Sequence, residues 1–424
     1  MRHKAWLWIA IVFAAAVAMG YLGVGDGGGG ENQRSDSEEK VTISMWTLSS
    51  EWIKPAIDDF KLKYPNIDVE LTLYDTDPIK ETLRIAASTK TLPDIWFTFG
   101  GTLGSFYTEN GLTMDLSKVA ADHRWNNSFN KAALDMVMYG DKVAGIPFHM
   151  NVLGMWYPRS VYEKAGLKPP TTFSEFESQL QTLKELGFVP LAFGSKGGWH
   201  TMRLTEQLLE HFAGPGLHDR LNKLTASWDN AAVVKTFEKL KEYTDKGYFP
   251  KGFLVLDSAD AGKLIYKEQA GLIIEGTWFE ITISNEGLDN SRFDVYSFPS
   301  DQESPRPSLF VDMFQINGES DQAKQNAAVL LGEYLTGAEV VDKYADSYGA
   351  PAILNADSSD RMPQVERLLE SSKTGGFLIT DQALPQEVVQ KLFEAQDKVV
   401  LNEWTPAQAA MEMEKAAQAF RSKS

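Results

Sequence analysis

The order of apolar and polar positions divides the chain from residue 41 onward into alternating strands and helices. Residues 41–46 alternate with period two and predict a strand, and residues 67–74 do so more cleanly still. Between them Trp52, Ile53, Ile57 and Phe60 recur at helical spacing, which predicts a helix over 51–64 that Pro65 ends. A helix over 78–88 and a strand over 92–99 complete a strand-helix-strand-helix-strand series. Such a series implies parallel pairing with right-handed crossovers. A second unit begins near residue 150 with an apolar strand over 152–157. Ser160 with Glu163, and Thr172 with Glu175, fit capping boxes, the second opening a helix to about Gly187. A strand over 189–193, helices to about Gly247, strands over 269–274 and 309–316 and a helix over 321–335 follow. The last hundred residues are mostly helical, and no internal repeat is visible.

The strand ends share a design. Residues 92–101 read as a buried strand running into Gly100 and Gly101, with Trp96, Phe97 and Phe99 beside that exit. In open α/β sheets ligands sit beyond the carboxyl ends of strands. Glycine lets backbone approach a bound molecule, and aromatic faces suit an amphipathic ligand such as a sugar. Taken alone, residues 92–101 read first as a core strand followed by a turn. Residues 197–200 and 276–280 repeat the combination, and Trp46-Thr47 adds another aromatic strand end, so a lined cleft is expected. Asp75, Glu280 and Asp312 are candidate acceptors for ligand hydroxyls. Which of Phe97 and Phe99 would stack on a ligand is open, because alternation turns Trp96 the other way.

Composition narrows the picture. The chain has 424 residues, enough for two large lobes. Its formal net charge of −17 disfavours nucleic acid. It has no cysteine, which excludes disulfides, thiol nucleophiles and thiolate metal sites. Arg2, His3 and Lys4 precede an uncharged apolar stretch to Val24, with Ala16-Val17-Ala18 as a small-residue cleavage site. That layout fits a signal peptide, and it is also long enough for a retained membrane anchor. Residues 25–40 are glycine-rich, then charged, and read as a flexible linker. Delivery across a membrane, to a secreted, surface-associated or periplasmic location, is expected either way.

Enzyme signatures are weak. Residues 194–198 miss the spacing of a nucleophile elbow, there is no phosphate-binding loop or H-E-x-x-H, and the six histidines are scattered. Glu275 and Glu280 are a conceivable hydrolase carboxylate pair, which requires a separation that sequence does not give. No cofactor or metal is called for.

Several motifs, in order and spacing, resemble one family. They are residues 60–67 (Phe60-Lys61-Leu62-Lys63-Tyr64-Pro65-Asn66-Ile67), Leu92-Pro93-Asp94-Ile95, Val143-Ala144-Gly145-Ile146-Pro147, Met155-Trp156-Tyr157 through Lys164-Ala165-Gly166, Pro170-Thr171-Thr172-Phe173, and residues 271–278 ending in Gly-x-Trp. The chain is similar to extracellular solute-binding proteins of ABC importers, of the large, maltose-binding-protein type that takes up oligosaccharides. It departs from that pattern in two places. Leu22-Gly23-Val24 lacks the cysteine of a lipobox, and Pro158 stands where asparagine is frequent.

The resemblance implies an α/β, two-lobe periplasmic-binding-protein-like fold with a hinge and an interlobe cleft. It places the first lobe at 41–149 and 311–350, and the second at 150–310 and 351–424. It also implies a monomer that captures a sugar or oligosaccharide and docks on permease subunits, without catalysis. By position, Trp46, Thr47, Asp75, Phe97, Phe99, Gly100 and Gly101 correspond to first-lobe contacts. His149 and Asn151 fall at the first crossover, and Asp312 and Met313 near the return crossover. Trp199, His200, Trp278, Phe279 and Glu280 correspond to second-lobe contacts, with Phe393 as a looser match. The competing expectations are a polyamine or other cation binder of the same fold, since aromatic and acidic groups also suit cations, and a secreted carbohydrate-active enzyme.

Overall fold

The computed structural model describes residues 40–423, apart from 304, 355, 357–361 and 374. The expected signal or anchor segment and nearly all of the linker lie outside the described residues. The strands are β1 (Val41–Leu48), β2 (Ile67–Tyr74), β3 (Ile95–Phe99), β4 (Met138–Tyr139), β5 (Lys142–Val143), β6 (Ile146–Pro158), β7 (Val189–Leu191), β8 (Ala270–Gly276), β9 (Phe293–Tyr296), β10 (Ser308–Ile316) and β11 (Phe377–Leu378).

The main sheet runs β2-β1-β3-β10-β6-β8-β7, with β11 beside β10 and β9 beside β6. β1 pairs in parallel with β2 and with β3, as the alternation with helices implies. β10 then lies antiparallel to β3, and β6 antiparallel to β10. Beyond Val152, β6 changes partners and pairs with β8 and β9. Two unbroken strands, β6 and β10, therefore carry the chain between the group around β1–β3 and the group around β7–β9. Both are almost wholly buried, which is why their sequences read as continuous apolar runs rather than alternations.

Among the described residues two large apolar cores result, with a small third cluster of Ala350, Met362 and Val365. One lies under β1–β3 and the helices Ile53–Lys63 and Gln322–Thr336, and continues along β6 to Trp156. The other joins the helices Trp199–Asn222, Ala231–Asp245, Gln386–Val400 and Pro406–Arg421. The first of these four is broken at Gly214, whose φ of 68° is outside the helical range, just before Pro215.

Local chemistry explains where elements begin. The Thr172 hydroxyl accepts the Glu175 N–H at 3.2 Å, and the Glu175 carboxylate accepts the Thr172 N–H at 3.3 Å, so this capping box forms as expected. The one expected at Ser160 does not. β6 runs on to Pro158, which is itself the N-cap of the helix Arg159–Ala165, and Ser160 falls inside the first turn. Likewise β3 starts at Ile95 rather than residue 92: the carbonyls of Leu92 and Pro93 are taken by the Asn317 side-chain amide instead of a strand. β6 is longer than the 152–157 run, because Ile146–Asn151 already pairs with β10. Among the described residues no helix is long and apolar enough to cross a membrane, and no group of acidic and histidine side chains could hold a metal ion.

Candidate ligand-binding cleft

The strand ends converge on a cleft of about 420 Å³. β1 contributes Thr47, β3 contributes Phe97 and Phe99, β6 contributes Phe148, His149 and Asn151, and β10 contributes Phe310 and Asp312. Glu275 at the end of β8, Trp278 and Phe279 just after it, and Trp199 with Arg203 form the facing wall. Trp52 and Tyr348, with ring centroids 4.7 Å apart, also line it.

The floor is polar. Asp312 stands two residues after Phe310 on β10 and lines the cleft on the same side, while the register of β10 against β6 shifts between Val311 and Met313. Asp312 Oδ2 accepts from Asn151 Nδ2 at 2.9 Å and lies 3.3 Å from His149 Nδ1. The Thr277 hydroxyl donates to Asn151 Oδ1 at 3.3 Å, which fixes the amide orientation. Among the described residues, Asp312 Oδ1 and His149 Nε2 have no hydrogen-bond partner. Both atoms are almost wholly covered by protein, while the side chains of Asp312, His149 and Asn151 line the cleft.

The walls are aromatic. Phe97 and Phe99 meet edge to face at 5.2 Å, and Phe310 packs between Phe99 and Trp278 at 6.1 Å and 5.6 Å. The glycines at these exits serve the rings. A Cβ on Gly276 would lie 2.0 Å from Trp278 Cζ3, and one on Gly197 would lie 2.8 Å from Trp199 Nε1. Each tryptophan thus folds back over a glycine.

Buried charge accompanies the rings. Arg203 donates to Glu275 Oε2 at 2.6 Å and to the Ile274 carbonyl at 3.1 Å, and Trp278 Nε1 donates to the same Glu275 oxygen at 3.0 Å. Burial raises the Glu275 carboxyl above the usual range, opposed by the charge and hydrogen bond of Arg203 and by the bond from Trp278.

Comparison with known proteins identifies the fold and family. Residues 46–356 match the family described as bacterial extracellular solute-binding protein. The chain belongs to this family. An uncharacterized ABC transporter extracellular-binding protein of Pyrococcus horikoshii is 28% identical over 224 residues, 52% of this chain and 51% of that protein, so this match spans about half the relative's length. The multiple sugar-binding protein of Streptococcus mutans is 24% identical over 357 residues, 80% of this chain and 81% of that one. The solved structure of a chitin oligosaccharide binding protein superposes with a TM-score of 0.80 at 20% identity, over 90% of this chain and 98% of that one. The fold is accordingly the α/β, two-lobe fold expected from the sequence. The family consists of binding proteins, not enzymes, and its description places its members outside the cytoplasm.

In this solute-binding protein the cleft takes up Thr47, Phe97, Phe99, His149, Asn151, Trp199, Trp278, Phe279 and Asp312 among the expected contacts. The others lie elsewhere, for identifiable reasons. Strand alternation turns Trp46 away from the side of Thr47, against Tyr74 at 5.5 Å, and Met313 away from Asp312, over Gly104 and Gly145. Asp75 is the exposed N-cap of the helix Thr76–Thr89, and Thr76 reaches the cleft in its place. Gly100 and Gly101 do permit a close approach, but by protein. A Cβ on Gly100 would lie 2.8 Å from Val311 Cγ1, and one on Gly101, at φ 61°, would lie 2.2 Å from the Gln382 carbonyl oxygen.

His200 is one helical step from Trp199 and points into the core, where the Gly194 N–H donates to its Nδ1 at 3.3 Å. Burial, helped by the Arg203 charge, holds its pKa well below the ordinary value, so it is neutral. Glu280 is fully buried and accepts the Val365 N–H at 2.8 Å, which caps the helix Pro363–Ser371 from outside. Burial pushes its carboxyl up to about 7. Phe393 packs against Gly198 and is not part of the cleft lining. The sequence reading passed over Arg203, Phe310, Phe148, Trp52 and Tyr348, and treated Glu275 only as an acid. Arg203 stands one helical turn after Trp199, and that spacing was the available signal.

Proposed function

We propose that this chain is the substrate-binding component of an ABC importer, capturing a sugar or oligosaccharide in the cleft and handing it to membrane permease subunits. The carrying observation is the pairing of a polar floor, Asp312 with His149 and Asn151, with the aromatic walls of Phe99, Trp199 and Trp278. A pyranose has apolar C–H faces for the rings and hydroxyls for the polar floor. The sugar-binding name of the Streptococcus mutans relative and the oligosaccharide-binding name of the structural neighbour support the same reading. The first lobe is 41–149 with 311–350, and the second 150–310 with 351–424, so β6 and β10 form the hinge. A solute touching both lobes binds the shut form better than the open one, and this difference drives closure. The chain acts as a monomer, secreted or held at the outer side of the membrane.

A thermal-shift screen of neutral malto-, xylo-, cello- and chito-oligosaccharides alongside spermidine tests the assignment, because a solute that binds only the folded state raises the melting temperature. A sugar shift is expected. A shift with spermidine alone overturns the reading, as does release of smaller sugars on incubation. Trp278→Ala should weaken sugar binding about tenfold or more.

A further inference from the structure

Trp199 and Trp278 come from different elements and share one cation. The Arg203 guanidinium carbon lies 4.5 Å from the Trp199 ring centroid and 5.0 Å from that of Trp278. Glu275 Oε2 binds Arg203 at 2.6 Å and the Trp278 indole N–H at 3.0 Å. Two indole faces and a carboxylate around a cation are the components of an aromatic cage, the arrangement by which proteins hold organic ammonium groups. Here the cation is part of the chain. Arg203 is only 7% exposed, and its guanidinium lies against both rings at the cleft wall.

We propose that Arg203 is a specificity-determining residue: its guanidinium plugs an aromatic and carboxylate cage that a solute ammonium group would otherwise occupy, so the cleft turns away organic cations. This inference rests on the cleft being the solute site. The same contacts make Arg203 a positioning residue for both indoles. Its charge anchors Glu275, Glu275 holds the Trp278 N–H, and Gly276 and Gly197 leave room for the rings to lie close. The Trp278 N–H is used up in this way, and the ring offers a solute its face.

Removing the plug should expose the cage. Arg203→Ala is expected to bind tetramethylammonium and methylguanidinium in calorimetry, at least about tenfold more tightly than the unaltered protein, in line with the energy of a desolvated cation–π contact. Methylguanidinium should also restore the near-ultraviolet circular dichroism of the indoles, a rescue that ethane or another uncharged filler does not give. Adding Trp278→Ala to the variant should abolish binding of both ions. If Arg203→Ala does not fold, Arg203→Ser carries the same test, because it opens the same space and keeps the Glu275 carboxylate that the cage requires. Equal binding of tetramethylammonium by the unaltered protein, or none by either folded variant, overturns the proposal. Neither ion probes sugar binding. A chain that binds no oligosaccharide therefore loses the sugar reading and keeps the plug, whereas sugar binding without an ammonium site in the variants does the reverse.

Discussion

Replacing Glu206 by glutamine should make the folded chain more stable in alkaline solution and leave it nearly unchanged in acid. Glu206 lies in the helix Trp199–Asn222, is 2% exposed, and accepts the Thr380 N–H at 2.8 Å. Burial pushes its carboxyl from 4.5 to about 8, and the nearby Asp381 carboxylate pushes the same way, while the Ser308 and Thr380 hydrogen bonds oppose. The folded chain therefore keeps a proton that the unfolded chain releases near pH 4.5. The stabilisation from that proton is complete below pH 4.5 and is lost as pH rises through about 8. A gap of about 3.5 pH units, at about 1.36 kcal/mol each, makes the loss about 5 kcal/mol. Glutamine keeps an oxygen for the Thr380 N–H and cannot ionise. Urea unfolding of both proteins at pH 5, 6, 7 and 8 reads the difference, because the other titrating groups are common to both and cancel. The curves should nearly coincide at pH 5 and separate by about 1.4 kcal/mol per pH unit above it. Parallel profiles across this range would refute the assignment of a buried, protonated Glu206.

Three further substitutions bear on the cleft and its support. Gly276→Ala puts a methyl group 2.0 Å from Trp278 Cζ3, so it should displace the indole and lower sugar affinity about tenfold; unchanged affinity and unchanged near-ultraviolet circular dichroism would show that the ring does not rest there. Asp312→Asn keeps an acceptor for Asn151 and removes the negative charge from the cleft floor, a loss of about 1.5–3 kcal/mol in calorimetric affinity with a smaller change in melting temperature. Glu280→Ala leaves the Val365 N–H without its buried acceptor, so it should cost about 1–2 kcal/mol and speed amide exchange over residues 364–368 while sugar affinity stays within about twofold.

The strand and helix order was legible because periodicity is a local signal, and the cleft was found because aromatic residues and glycine stand together at several strand ends. What failed was direction. Neighbouring residues face different ways, and a stretch that names a site does not say which of its members enters it. Alternation sends Thr47 to the cleft and Trp46 to Tyr74, Asp312 to the cleft and Met313 to Gly104. On the helix after Gly198, Trp199 and Arg203 share a face that His200 does not. Glu280 illustrates a second limit. Its partner is the Val365 N–H, 85 positions away, and no local pattern marks a carboxylate as the cap of a distant helix.

Arg203 was missed for a different reason. A buried arginine is rare, and composition gives no cause to expect one in an aromatic wall. Its presence is understandable once Glu275 is included. An unpaired carboxylate buried beside two indoles would draw in any cation small enough to enter, and an arginine one turn from Trp199 meets that demand from within the chain. The glycines then follow from the rings rather than from the ligand. A guanidinium can rest against both Trp199 and Trp278 only when each ring is free to fold over its own strand exit, and a side chain at Gly197 or Gly276 would remove that freedom. The recurrent glycine-and-aromatic exits are, on this argument, the means of building the wall, and the space left between that wall and Asp312 is what the solute receives.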